Sequence, residues 1–368
     1  MKLQDLPTPC LVLDRRKLRR NIDAMAAVAA RLGVALRPHM KTAKSVDVAR
    51  MVQDAGARGM TVSTLAEAEY FAAAGLSDMI YAVGITPQKL DRVAALNAAG
   101  AGVTVITDDA DAARAIAMRG IPALIEVDCG EHRGGMAANE DRLLAVAAAL
   151  GDSLAGVLTH AGHSYAGRSP ADMTALAETE RAAITAAAAR IRAAGHPLHI
   201  VSMGSSPTLR HAAHLDGVTE VRAGVYMFGD LFQAGIHTHA LDDIAMTVLT
   251  SVIGRRPDEH RLLVDAGGIA LSKDRSTQAG PVDYGFGLLL DAHGAAAFGH
   301  STVVSAYQEH GVVALDPAKP FPGLAIGDLV RVAPNHTCMT AAAHDRYHVI
   351  DEEGDDDVAA VWERRNGW

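Results

Sequence analysis

Apolar residues return along this chain in two alternating rhythms. Between residues 14 and about 227, short aliphatic and β-branched runs stand at 35–41, 59–65, 78–84, 102–108, 122–128, 154–162, 199–205 and 219–227. Each has the length of a buried strand. Alanine-rich stretches with helical spacing separate them. Leu18, Ile22, Met25, Val28 and Leu32 mark the first, over 14–32, and others follow at 47–55, 65–74, 87–99, 109–118, 140–150 and 172–194. Residues recurring three and four positions apart share one helix face. Eight strands alternating with helices predict an α/β fold, a parallel (β/α)8 barrel of the TIM type, over 14–235. Pro38 sits inside the first strand, where it cannot donate to a ladder, so a late start or a bulge is expected there.

After residue 240 the helical rhythm stops. Short β-branched runs appear at 245–253, 261–266, 301–308, 329–333 and 347–350, and the last leads through an acidic turn into Val358–Trp362 as a β-hairpin. The acidic run 351–357 has a possible metal reading, but a solvated turn suits it better. Residues 240–368, together with 1–13, are expected to form a second, mostly β domain. Neither repeats nor a low-complexity linker interrupt the chain.

Composition narrows the function. The 368 residues are 49% hydrophobic and 21% charged, the balance of an ordinary globular protein. A net charge of −9 without basic runs argues against nucleic acid as a partner. No apolar run is long enough to cross a bilayer, and the N-terminus lacks an apolar signal region. Cys10, Cys129 and Cys338 form neither a disulfide framework nor a four-cysteine zinc site, which predicts a reduced, cytoplasmic setting.

Barrel chemistry belongs at the carboxyl ends of the strands. The first, Ala35-Leu-Arg-Pro-His-Met-Lys41, sets Arg37, His39 and Lys41 on alternating positions and therefore on one face. A lysine there is a candidate Schiff-base nucleophile, unless the strand is a surface one and the lysine merely solvated. The fifth end reads Glu126-Val-Asp-Cys-Gly-Glu-His-Arg133, and the sixth Leu158-Thr-His160-Ala-Gly-His163-Ser-Tyr165. The seventh, Ser202-Met-Gly204-Ser205-Ser206-Pro-Thr208, offers hydroxyls and backbone N–H groups at a helix start, which suits a phosphate or a plain N-cap. The eighth is Glu220-Val-Arg222-Ala-Gly224-Val-Tyr226. An amine, a phosphate cradle and a cationic partner for a ring nitrogen are what pyridoxal phosphate needs.

These segments resemble the fold-type III pyridoxal-phosphate enzymes, the alanine racemase-like barrels. The likeness is strongest to their D-serine dehydratase and D-threonine aldolase branch. Thr8-Pro-Cys-Leu-Val-Leu-Asp14, Arg37-Pro-His-Met-Lys41, Thr159-His-Ala-Gly-His-Ser-Tyr165, Glu220-Val-Arg-Ala-Gly-Val-Tyr226, Glu309-His-Gly311 and Pro334-Asn-His336-Thr-Cys338 carry it across most of the chain. The resemblance implies that Lys41 is the cofactor lysine and that His160 lies against the cofactor ring. It puts Arg222 facing the pyridine nitrogen and Arg133 near the phenolic oxygen. Ser202, Gly204, Ser205, Gly224 and Tyr226 complete the expected cofactor contacts. Glu126 stands where racemases carry a carbamylated lysine, so an ion pair from Glu126 to Arg133 is expected.

His336 and Cys338 separate this branch from the racemases. Read as a strand, i and i+2 share a face, so imidazole and thiolate can hold one divalent metal, zinc before manganese or magnesium. The resemblance implies a D-3-hydroxyamino acid as substrate and a homodimer as the assembly. With cysteine as second ligand it implies dehydration to a 2-oxo acid and ammonia, whereas the aldolases resemble His-x-Asp and release glycine and an aldehyde. An amino-acid racemase and a non-catalytic pyridoxal-phosphate carrier rank lower. A metal-only hydrolase built on His39, His160 and His163 would leave the serine-rich loop unexplained.

Overall fold

The computed structural model describes all 368 residues. The chain divides into two compact units, Asp23–Gly224 with Gly367–Trp368, and Met1–Ile22 with Val225–Asn366. It enters through strand β1 (Cys10–Asp14) and helix α1 (Arg15–Arg31).

In the first unit, parallel strands β2 (Ala35–Leu36), β3 (Met60–Val62), β4 (Met79–Gly84), β5 (Val103–Thr107), β6 (Ala123–Val127), β7 (Leu154–Thr159), β8 (Ile200–Met203) and β9 (Glu220–Val221) alternate with helices. The helices are α2 (Val46–Asp54), α3 (Leu65–Ala73), α4 (Leu90–Ala98), α5 (Ala110–Ala117), α6 (Arg142–Leu150), α7 (Pro170–Ala193) and α8 (Ser206–His211). Thr64, Asp109 and Ser169 start α3, α5 and α7 by accepting backbone N–H bonds of the first turn. The sheet order is β2-β9-β8-β7-β6-β5-β4-β3, so the predicted eight strands are all present in barrel sequence. Between β2 and β3 the contact narrows to one bridge, His39 with Thr61. Pro38 is the reason. The strand stops at Leu36, the Pro38 carbonyl still accepts from the Thr61 N–H at 2.8 Å, and the ladder resumes with Met40 N–H on the Thr61 carbonyl.

The inward-facing residues divide by strand. Ile80, Ile106, Leu124 and Leu158 pack into one apolar cluster on β4 to β7. On β8, β9 and β2 the same layer is ionic. Arg37 Nε donates to Glu220 at 2.8 Å, and the Ser202 hydroxyl donates to the other Glu220 oxygen at 2.7 Å. Both charged side chains of the pair are almost fully buried. Removing one partner of a buried ion pair costs about 3–5 kcal/mol. Glu220→Gln is therefore expected to lower stability by about 3 kcal/mol, read as a lower urea midpoint. An unchanged midpoint would mean that Asp78, which also accepts from Arg37, suffices alone.

In the second unit, strands β10 (Met246–Arg256), β11 (Arg261–Val264), β12 (Leu288–Leu290), β13 (Thr302–Ala306), β14 (Gly311–Ala314) and β15 (Leu329–Ala333) form a closed antiparallel ring. β10 pairs with both β11 and β15, which shuts it. β1 joins on β10, followed by the hairpin of β16 (Arg346–Ile350) and β17 (Ala360–Glu363). The expected runs and final hairpin are there, but β12 and β14 are additions. β12 has three residues after a glycine-rich loop and β14 has four close behind β13, too little alternation to read. Short helices α9 (Leu231–Gly235), α10 (Gly268–Leu271) and α11 (Thr337–Ala341) fill the connections. No helix is long and apolar enough to cross a membrane.

Candidate active site

Within the barrel unit the predicted residues gather at the carboxyl ends of the strands. Lys41 stands in the turn after the β2 strand, exposed, with its backbone N–H on His39 Nδ1 at 3.4 Å. Arg222 is buried and its two terminal nitrogens donate at 2.6 Å to the Ser202 hydroxyl and the Thr159 carbonyl. Burial lowers its pKa to about 10, with nearby Glu220, Glu180 and Glu126 opposing the drop, so it remains a cation at neutral pH. Burial, then Lys41 and Arg222, hold the His39 imidazole well below its usual range. Burial brings His160 down to about 3, against the opposing bond to Gly204. Both rings are neutral. His160 Nδ1 carries its proton, because its partner at 2.9 Å is the Gly204 carbonyl, which can only accept.

The serine-rich end of β8 is more committed than its sequence suggests. The Ser202 hydroxyl is shared between Glu220 and Arg222. Gly204 N–H donates to Glu180, and Ser205 N–H to the Thr208 hydroxyl. Gly204 has φ +127°, and a β-carbon there would come within 2.7 Å of the Arg222 carbonyl, so only glycine fits. At Gly224 a side chain would meet the His39 carbonyl at 2.8 Å. One hydroxyl in this turn has no protein partner, the buried Ser206 Oγ at the start of α8. An exposed amine, a buried cation and an unpartnered hydroxyl beside a helix start fit pyridoxal phosphate. In the other unit Tyr226 is buried and its hydroxyl also lacks a protein partner, with burial raising its pKa.

Arg133 departs from expectation. It is 60% exposed and its ion pair runs to Glu131 at 3.4 Å, not to Glu126. Glu131 is fixed there because its other oxygen accepts from Gly162 N–H, tying the loop after β6 to the loop after β7. Glu126 acts on Arg133 only through its field, and burial raises the Glu126 pKa.

The second unit holds His336 and Cys338, and their setting corrects the strand reading. β15 ends at Ala333, Pro334 cannot extend the ladder, and His336 becomes the N-cap of α11 with φ −139°. Cys338 lies in the first turn of that helix. The pair still converges, since the imidazole hydrogen-bonds both Cys338 and Asp274, the latter at 3.2 Å. Burial opposes protonation of His336, but Asp274, Cys338 and Asp230 outweigh it and raise its pKa to about 11. Asp274 itself is held near 2, mostly by His336 and Ser276 against the pull of burial. The buried Asp230 accepts from Thr337 N–H at 3.1 Å, and Asn335 Nδ2 donates to the Asp274 carbonyl at 3.0 Å. Imidazole, thiol and a supporting carboxylate form a donor set that suits zinc. His336 and Cys338 are the two donors of that set and Asp274 only supports the histidine, for no group of three or more His, Cys, Asp or Glu is placed to hold a metal ion.

Glu180, Asp274 and Asp230 were invisible to motif reading, and Glu131 stood inside the Glu126–Arg133 motif without its pairing being legible. Glu180 lies mid-helix among alanines, and Asp274 is 62 residues from the histidine it supports.

Residues 13–231 match the family model described as alanine racemase, N-terminal domain, and residues 245–350 the one described as putative serine dehydratase domain. The D-threo-3-hydroxyaspartate dehydratase of Delftia sp. (strain HT23) is 43% identical over 100% of this chain and 99% of its own. The D-serine dehydratase of Dictyostelium discoideum is 29% identical over 95% of each chain. The 3-hydroxy-D-aspartate aldolase of Paracoccus denitrificans (strain Pd 1222) is 30% identical over 94% of this chain and 89% of its own. The solved Delftia dehydratase superposes with a TM-score of 0.95 over 100% of both chains. Two solved variants of D-threo-3-hydroxyaspartate dehydratase also superpose at 0.95. One replaces a cysteine by alanine and is in the metal-free form. The other replaces a histidine two positions earlier in that chain.

Proposed function

The chain belongs to the fold-type III pyridoxal-phosphate family, in its alanine racemase-like branch with a D-serine dehydratase domain, and from that premise we propose that it is a lyase dehydrating D-3-hydroxyamino acids, D-threo-3-hydroxyaspartate foremost, to a 2-oxo acid and ammonia. The observation that carries this reading is the convergence of His336 and Cys338 on one turn, backed by Asp274. Histidine and cysteine at that spacing are the two residues replaced in the solved variants of the hydroxyaspartate dehydratase.

Lys41, Arg222, His160 and the Ser206 turn are the residues that would hold pyridoxal phosphate, and Tyr226 is expected with them. Bound there, the cofactor supplies an electron sink for a charge developing at the substrate's Cα. Arg222, a fully buried guanidinium that offers only donors, would keep the ring nitrogen of a bound cofactor unprotonated. That would weaken the sink and leave more of the work to side chains. The Lys41 amine is exposed and takes the proton from Cα. His160 keeps its proton on Nδ1 and remains neutral, so it adds no charge beside the ring. His336 and Cys338 would hold a divalent ion, zinc by donor chemistry, that acts as Lewis acid for the departing 3-hydroxyl. A homodimer is the expected assembly, checked by light scattering.

Purified protein incubated with D-threo-3-hydroxyaspartate, D-serine and D-threonine is expected to release 2-oxo acid and ammonia in equal amounts, fastest with the first. EDTA should remove at least nine-tenths of the rate, and zinc should restore it. Glycine formed without oxo acid would overturn the dehydratase reading in favour of retro-aldol cleavage, the reaction class of the 30% identical aldolase.

A further inference from the structure

One carboxylate oxygen pins both partners of the His160–Gly204 hydrogen bond. Glu180 projects from the middle of α7, the helix that links β7 to β8, and is completely buried. Its Oε1 accepts from Ala161 N–H at 3.0 Å and from Gly204 N–H at 2.9 Å. Ala161 N–H belongs to the peptide that leaves His160. Gly204 N–H belongs to the peptide that enters the residue whose carbonyl receives His160 Nδ1 at 2.9 Å. Strand ends at β7 and β8 are therefore clamped by an atom that touches neither the imidazole nor the barrel mouth. The second oxygen, Oε2, is buried without a hydrogen-bond partner. Burying a carboxyl group in a barrel wall is costly. A pure packing role would be met by leucine or methionine, so the group has to be explained by the polar partners it serves, the two amides and the Thr208 side chain at the start of the same turn.

We propose that Glu180 is a positioning residue for the cofactor site: it fixes the ring orientation and tautomer of His160 and the start of the Ser205–Ser206 turn. The inference deepens the function proposed above and rests on it for the identity of the cofactor. The local chain supports it. Gly204 adopts φ +127° with the Arg222 backbone so close that it cannot carry a side chain, a conformation that needs an external acceptor to hold its N–H. Ser205 begins its capping bonds to Thr208 one residue later, and the Ser205 hydroxyl also reaches Ser164 at 2.9 Å from the β7 loop. Without Glu180 the Ala161 and Gly204 amides would be buried and unpaired, and the peptides would rotate to find water or another acceptor. His160 would then lose the carbonyl that keeps its proton on Nδ1.

The test compares Glu180→Gln, Glu180→Met and Glu180→Asp with the parental protein. Glutamine keeps an acceptor oxygen at the same reach. Methionine keeps the volume and removes the acceptor. Aspartate keeps the carboxyl group but is one methylene short of spanning both amides. Nitrogen-15 NMR of His160 in cofactor-free protein should show the Nδ1–H tautomer alone in the parental and glutamine proteins. Mixed tautomers are expected in the methionine protein. Titration with pyridoxal phosphate should give a dissociation constant within about threefold of parental for glutamine, and roughly tenfold to hundredfold weaker for methionine. A methionine protein with the parental tautomer and parental cofactor affinity would overturn the proposal. Should methionine prevent folding, aspartate decides. Mixed tautomers with about tenfold weaker affinity support the clamp, and parental values overturn it. If the parental protein takes up no pyridoxal phosphate, the functional reading falls, while the tautomer comparison still tests the clamp.

Discussion

Lys41→Ala protein is expected to lose activity by about four orders of magnitude and to carry no covalently trapped cofactor after borohydride reduction. Two losses combine. The side chain supplies the amine that would tether the cofactor's aldehyde, and afterwards the base that removes the Cα proton. General base catalysis alone contributes about 10²- to 10⁴-fold. Local geometry leaves little to replace it. His39, on the bridge that closes the barrel, is held neutral by burial and its cationic neighbours, but its Nδ1 faces the Lys41 backbone N–H. His160 keeps Nδ1 on Gly204. Lys44, the next amine along, is engaged with the buried Glu67 at 3.0 Å. The fold itself should survive, since Lys41 is exposed and makes no side-chain hydrogen bond or ion pair that holds the barrel. An unchanged melting temperature with activity gone is the expected pair of results. Mass spectrometry after hydride trapping should find the parental adduct on residue 41. An adduct on another lysine would transfer the role.

Most of the scaffold could be read from the chain, because a barrel repeats its signal. The strands of the first unit lie in short, mostly buried apolar runs, and helices with caps such as Thr64, Asp109 and Ser169 separate them. The second unit was only partly legible. β12 has three residues after a glycine-rich loop, and β14 has four and follows β13 after only four more, so a period has little length over which to build. Local motifs single out Lys41, His160, Arg222, His336 and Cys338 as candidates from the sequence alone. Residues acting across the fold were not legible. Glu180 serves two amides 19 and 24 positions away, and Asp274 serves His336 from 62 positions away. The same limit gave Arg133 the wrong ion-pair partner, which depends on how two loops meet, and led to strand spacing being applied to His336-Thr-Cys338. A proline and the pull of Asp230 on Thr337 N–H turn that segment into a helix start instead.

Replacing either member of the His336–Cys338 pair should separate the two halves of the reaction. Cys338→Ala and His336→Ala proteins are expected to lose bound divalent metal, measured by plasma mass spectrometry, and to dehydrate D-threo-3-hydroxyaspartate about 10³-fold more slowly. Loss of a Lewis acid worth several kcal/mol corresponds to that factor. In the proposed reaction, proton removal at Cα falls to Lys41 and not to the metal. Exchange of the Cα hydrogen with deuterated water should therefore continue within about tenfold of the parental rate, a margin set by general-base catalysis remaining intact. Asp274→Asn is expected to be milder. Asparagine retains an oxygen for the histidine but not the charge, and such supporting groups cost about 10- to 100-fold in affinity or rate when altered. Chain support for the turn persists in all three variants through Asp230 on Thr337 N–H and Asn335 on the Gly285 carbonyl. Local collapse is therefore not expected to imitate loss of metal. If exchange and dehydration fall together in the Cys338→Ala protein, the metal does more than assist the leaving hydroxyl, and the division of labour between Lys41 and the His336–Cys338 turn has to be abandoned.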